Sequence, residues 1–149
     1  MMTEIIAVLQ VAIGPVILIS GVGLLLLTMT NRLGRCIDRV RQLVDELPRA
    51  DEVSRPGIEQ QLRILWKRAR LIRLAIGLAS LSALCASLLI ITLFFVTLLK
   101  MHDDLLLGSL FTLCLLFLLG SLAVFLHDIN QSLAALRLEL AGAGFSREI

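Results

Sequence analysis

The chain has 149 residues, 58% of them hydrophobic, and its 14 Lys and Arg against 12 Asp and Glu leave a formal net charge of +2. Soluble domains are roughly half apolar, so the excess is more than one aqueous core hides, and an ordinary soluble globule is excluded. The small net charge names no partner; the distribution of the charges is the informative part.

Three runs lack Asp, Glu, Lys, Arg and His: residues 5–31, 74–99 and 105–126, of 27, 26 and 22 residues. Each exceeds the roughly 20 residues that cross a hydrocarbon core. Exposed sheet edges cannot satisfy their backbone there, which leaves helices. The expected fold is an all-α membrane protein: three transmembrane helices, a cytoplasmic helical hairpin between the first and second, and a short C-terminal amphipathic helix. The expected divisions are the first span (1–31), the hairpin (32–73), the second span (74–99), an external turn (100–104), the third span (105–126) and a cytoplasmic helix and tail (127–149).

Eleven of the 14 basic residues lie between Arg32 and Arg73, which by the positive-inside rule places that segment in the cytoplasm. The N-terminus and the 100–104 turn are then outside and the C-terminus inside. The start, Met-Met-Thr-Glu-Ile-Ile, lacks the basic region of a cleaved leader, and no small-residue cleavage site follows its apolar run. That run is expected to remain as the first crossing.

Along the first span a seven-residue spacing aligns Ala7, Gly14, Gly21 and Thr28, and beside them Gln10, Ile17, Leu24 and Asn31. Small residues let helix backbones approach in lipid, so the first row is a candidate packing seam. With Ser20, the polar members form a candidate pore lining. Pro15 removes the hydrogen bond to the carbonyl of Val11 and predicts a bend. Past the span, the apolar stripe Leu33, Cys36, Val40, Leu43 and Leu47, widened by Ile37 and Val44, marks an amphipathic helix. Its phase departs from the Ala7 row, because Arg35 and Asp38 occupy the extrapolated positions. Gly34 is therefore a second candidate hinge. At ~1.5 Å per residue, residues 31–47 project about 25 Å from the membrane.

Pro48 stops this helix, and a polar connector with Pro56 and Gly57 follows. A second stripe at Ile58, Leu62, Leu65, Ala69, Ile72 and Ile76 runs into the second span. Two apolar stripes joined by a short loop predict antiparallel helices. Ala75, Ala79, Ala83, Ser82 and Ala86 allow close packing, and Gly108-Ser109 and Gly120-Ser121 are small pairs in the third span. Ile129, Leu133, Leu136 and Leu140 predict the C-terminal helix, and the two glycines of the tail predict fraying.

The run GPVILISGVGLLLLTMTNRLGRCIDRVRQL, together with HDINQSLAALRLEL after the last span, resembles a bacterial inner-membrane family known as domain-of-unknown-function family 2721. TNRLGRxIDRxR is the most distinctive part, and the likeness covers nearly the whole chain. It implies a three-span protein of the bacterial inner membrane and carries over no activity, substrate or catalytic residue.

Catalysis needs positioned acids, bases or nucleophiles, and the apolar runs offer only Cys85 and Cys114. No enzyme, cofactor or metal site is therefore expected. No phosphate-cradling glycine loop or zinc spacing occurs, and the three cysteines fit neither a paired metal motif nor a disulfide framework. His102-Asp103-Asp104 reads as a solvated turn, and His127 stands at the opposite border. Ion-coupled transport marks itself by charges inside a span, and there are none. Arg63, Lys67, Arg68, Arg70 and Arg73 are expected to face anionic headgroups, each attracted by ~1 kcal/mol. Trp66 is the one stacking residue nearby, and nucleic acid is not an expected partner. The expected partners are the bilayer, further copies of the chain and a cytoplasmic protein. Two functions follow: a homo-oligomeric passive pore for ions or small solutes, or a non-conducting scaffold or regulatory module whose cytoplasmic bundle binds a protein.

Overall fold

Lipid offers no partner to a backbone amide, so an apolar chain must close its hydrogen bonds within each segment. In the computed structural model it does so with three long helices: α1 (Met2–Glu46), α2 (Arg55–Leu98) and α3 (Asp104–Gly142). The structure describes residues 2–99 and 104–142, with side chains described at 6, 9–99 and 104–131. Residues 100–103, most of the expected external turn with His102, lie outside the described residues. So do the tail from 143 onward and the side chains of Ala7, Leu133, Leu136 and Leu140. Among the described residues there is no strand.

α1 ends one residue before Leu47-Pro48, and a 3-10 turn (Leu47–Arg49) takes over. The chain then reverses through a turn in which the Ser54 and Arg55 amides donate to the Asp51 carbonyl at 3.0 and 3.1 Å. Pro56 opens α2, where its missing N–H costs nothing. The stretches expected as the hairpin and the C-terminal helix are continuous with the three long helices. Residues 32–46 continue α1, residues 55–73 begin α2, and residues 127–142 continue α3. No proline falls at those junctions, and a single Gly34 costs a helix only ~1 kcal/mol. α1 likewise runs unbroken through Pro15.

Three stretches, Leu9–Arg49, Arg55–Leu98 and Asp104–Gln131, are long and apolar enough to cross a membrane. The rest of the chain encloses 6%, 22% and 11% of their most apolar windows, so α2 is the middle helix and the bundle leaves most of its apolar surface open. That surface is far larger than soluble monomers expose and suggests a membrane protein. At ~1.5 Å per residue, α1 is about 68 Å long, twice the ~30 Å hydrocarbon core.

The packing has a different register from the Ala7 row. Val22, Met29, Cys36 and Leu43 are the buried positions of α1, spaced by seven straight through the end of the apolar run. The phase change near Gly34 is thus absent. The seam lies one residue over from Gly21 and Thr28, and the Leu33 to Leu47 stripe continues it. The reason lies in α2, which supplies the small residues: Ala75, Ala79, Ser82 and Ala86 are buried with 0–1% exposure. Close approach needs a small side chain on one partner only, so α1 can present Val and Met. The second stripe also faces inward, with Ile72 buried and Ile58, Leu62, Leu65, Ala69 and Ile76 half-buried. One cluster joins Met29, Ala75 and Phe125, and another joins Cys85, Ala86 and Cys114 under Leu18, Ile19 and Phe117.

Hydroxyls follow two rules. Thr28, Thr30, Ser87, Thr97 and Thr112 donate to the carbonyl four residues earlier in their own helix, which satisfies them without a neighbour. Ser82 and Ser121 donate across helices, to the Cys114 carbonyl at 2.9 Å and the Ala75 carbonyl at 2.8 Å. Interhelical bonds of this kind are worth ~0.6 kcal/mol on average. Ser121→Ala should therefore lower stability by about that much, whereas Ala75→Leu, forced between three helices, should cost ~1–3 kcal/mol. Detergent-phase thermal unfolding of both variants checks the order; equal losses would mean that the close approach at Ala75 is not what limits packing.

Candidate functional site

Leu107, Cys114, Ser121 and Asp128 share one seven-residue row of α3, and the last three are buried. The row that carries small residues through the apolar run therefore delivers a carboxylate to the interior just beyond it. Asp128 has no exposed surface. Its Oδ1 stands 3.5 Å from Nε of Arg68 on α2, and its Oδ2 stands 3.7 Å from Nη2 of Arg32 on α1. These are ion pairs at more than hydrogen-bond length. The Arg32 guanidinium also lies over the Phe125 ring, 5.3 Å from its centroid, which orients it while leaving edge donors open.

Cys36 lies next to this cluster, past the apolar run that ends at residue 31, and its Sγ donates to the Leu65 carbonyl at 3.4 Å. Burial pushes the thiol up, against the opposing pull of the Arg68 guanidinium. The buried thiol packs between α1 and α2. Among the described residues no three His, Cys, Asp or Glu side chains converge to hold a metal ion.

Arg32, Arg35, Arg39 and Arg68 line a cavity of about 320 Å³ together with Cys36, Leu65 and Ile72. Positions 32, 35 and 39 fall on one face of α1 because residues three and four apart are helix neighbours. On another side of the same helix pair, Leu33, Ile37, Trp66, Ala69, Arg70 and Arg73 form an apolar groove of about 430 Å³.

The residues singled out from sequence go to different places. Gln10, Gly14, Ile17, Ser20, Gly21, Leu24, Thr28 and Asn31 are all exposed on the outer side of α1. Nothing lies within 4 Å of where a Cβ would stand at Gly14 or Gly21, so the row is no seam within the chain. Pro15 and Gly34 are half-buried. Arg63, Lys67, Arg70 and Arg73 are exposed, as headgroup-facing residues would be. Arg68 departs from that set, because it turns inward to Asp128. Trp66 is 67% exposed. His127 is exposed, its Nε2 2.9 Å from Nε2 of Gln131. Asp128 was the residue that sequence reasoning missed. Its signal was the spacing of seven from Ser121 and Cys114, which puts a charge on the buried row of a helix.

A buried carboxylate shared by two arginines joins all three helices at one level. Removing it leaves two like charges side by side between the helices, and breaking a buried pair costs ~3–5 kcal/mol. Arg32 and Arg68 keep 23% and 27% of their side-chain surface, so Asp128→Asn should cost somewhat less, ~2–4 kcal/mol. The triple variant Arg32→Met, Arg68→Met, Asp128→Leu should recover most of the loss, since apolar replacement of a buried cluster is near neutral. Melting of the three proteins in one detergent is the measurement, and an Asp128→Asn protein as stable as the parent would refute the clasp.

Neither a curated protein nor a solved structure matches the chain. A family model described as protein of unknown function (DUF2721) matches residues 12–138, a stretch that holds the Val22 to Leu43 seam, the basic cavity and Asp128. By that match over most of its length, the chain belongs to the DUF2721 family.

Proposed function

We propose that the protein is an integral protein of the bacterial inner membrane that self-associates through the outer face of α1 and forms a passive pore for ions or small solutes. The observation that carries this reading is the exposure of all eight residues from Gln10 to Asn31 on that face, with open space at Gly14 and Gly21. Small residues without a partner in their own chain fit a second copy, because backbones can approach there. In a ring of copies, Gln10 and Asn31 become two polar rings, which can replace part of an ion's hydration shell. Ile17 and Leu24, 66% and 70% exposed between them, form an apolar constriction that closes by drying. The reading assigns the chain no catalysis and no cofactor, and places residues 32–73 and the C-terminus in the cytoplasm.

A second reading is favoured by the groove at Leu33, Ile37 and Trp66, which gives a cytoplasmic protein an apolar edge to bind and makes the chain a non-conducting scaffold or regulator. Planar-bilayer recording separates the two. Single-channel events altered by Leu24→Ser support the pore, and silence across voltage and tension supports the scaffold. Gly21→Ile should lower the subunit number in detergent, as read by light scattering; an unchanged mass removes the α1 face as the interface. For the topology, a cysteine at Ser54 should react with impermeant thiol reagents only after the membrane is opened, and one at Asp104 before it. The reverse order would invert the chain.

A further inference from the structure

We propose that the cavity between α1 and α2 lined by Arg32, Arg35, Arg39 and Arg68 binds a phosphate group, from a lipid headgroup or from a soluble phosphate. Four arginines line a space of about 320 Å³, the lower end of the range for small-molecule sites. No carboxylate lines it among the described residues, and Asp128 pairs with Arg32 and Arg68 from behind. An anion seated among these arginines is attracted by them. Guanidinium is suited to this role, because its planar fork meets phosphate oxygens with two parallel N–H donors.

The cluster is also oriented before any ligand arrives. Arg32 is held by Asp128 on one edge and by the Phe125 ring on its face, and Arg39 donates to Oε1 of Gln42 at 3.3 Å. Leu65 and Ile72 form an apolar wall, which lowers the local dielectric and strengthens the charge interaction. The height fits a headgroup, since Arg32 is the first charge after the run that ends at Asn31. This inference does not depend on the pore: the cavity is complete within one chain, and conduction and phosphate binding can fail separately.

Arg35 and Arg39 are exposed and take no part in the Asp128 clasp, so they can be changed without touching it. The full chain in a neutral detergent is titrated with phosphatidic acid, with phosphatidylcholine as the neutral control, and retained lipid is read by native mass spectrometry. Inorganic phosphate is titrated calorimetrically in parallel. Arg35→Gln with Arg39→Gln should weaken retention of phosphatidic acid about tenfold more than Lys67→Gln with Arg70→Gln, an equal charge loss on exposed α2 positions outside the cavity. Arg35→Lys with Arg39→Lys should recover only part of the loss, since it restores charge without the fork. Inorganic phosphate bound with the same variant order, without a preference for phosphatidic acid, assigns the site to soluble phosphate. Equal losses in the two Gln pairs, or wild-type protein that prefers neither probe, would overturn the proposal. Unchanged melting of each variant shows that the readings report binding.

Discussion

The Asp128 carboxylate ties all three helices together by charge. Among the described residues the hydrogen bonds between helices are pairwise: Ser82 to Cys114 and Ser121 to Ala75 join α2 with α3, and Cys36 to Leu65 joins α1 with α2. Each is weak, and an apolar helix can slide along an apolar partner at little cost in lipid. A buried charge between two fixed arginines cannot slide. It sets the axial register of α1 and α3 against α2, so the small residues of α2 meet the larger side chains of α1 at matched heights. Buried ionic groups are best known for this kind of register choice, and they add little net stability.

The number of long apolar helices, the helix end at Leu47-Pro48 and the inward stripes of α1 and α2 were legible, because run length, proline and periodicity are local properties. The intrachain seam of the first span was not: Val22 and Met29 make it, and Ala75 and Ala79 on α2 supply the small side chains that let the helices approach, while Gly14 and Gly21 stay exposed. Which partner gives way is a property of the pair. Arg68 was grouped with its exposed neighbours for a similar reason: charge near a span end counts toward headgroup attraction until a buried counter-charge claims it, and Asp128 is 60 residues away in sequence. Residues 32–46 and 55–73 join the long helices because a change from apolar to charged residues marks a change of surroundings without ending a helix.

The two faces of α1 divide its work. The inner row, Val22 to Leu43, holds the chain together, while the outer row, Gln10 to Asn31, stays open in one chain. Threonines on the outside return their hydroxyls to their own helix, so those hydroxyls need no neighbour. Gln10 and Asn31 are the two amides on that face whose hydrogen-bonding capacity a second copy or water would meet. The basic cavity meets the inner row at Cys36 and opens between α1 and α2 where the apolar run ends, with the clasp behind it.

The clasp also has an order in time. Domains and segments emerge N-terminal first during synthesis, and Arg32 and Arg68 belong to the first two helices while their counter-ion belongs to the third. A nascent chain that has placed only α1 and α2 therefore lacks Asp128, and the ion pairs that join the three helices form only when α3 packs.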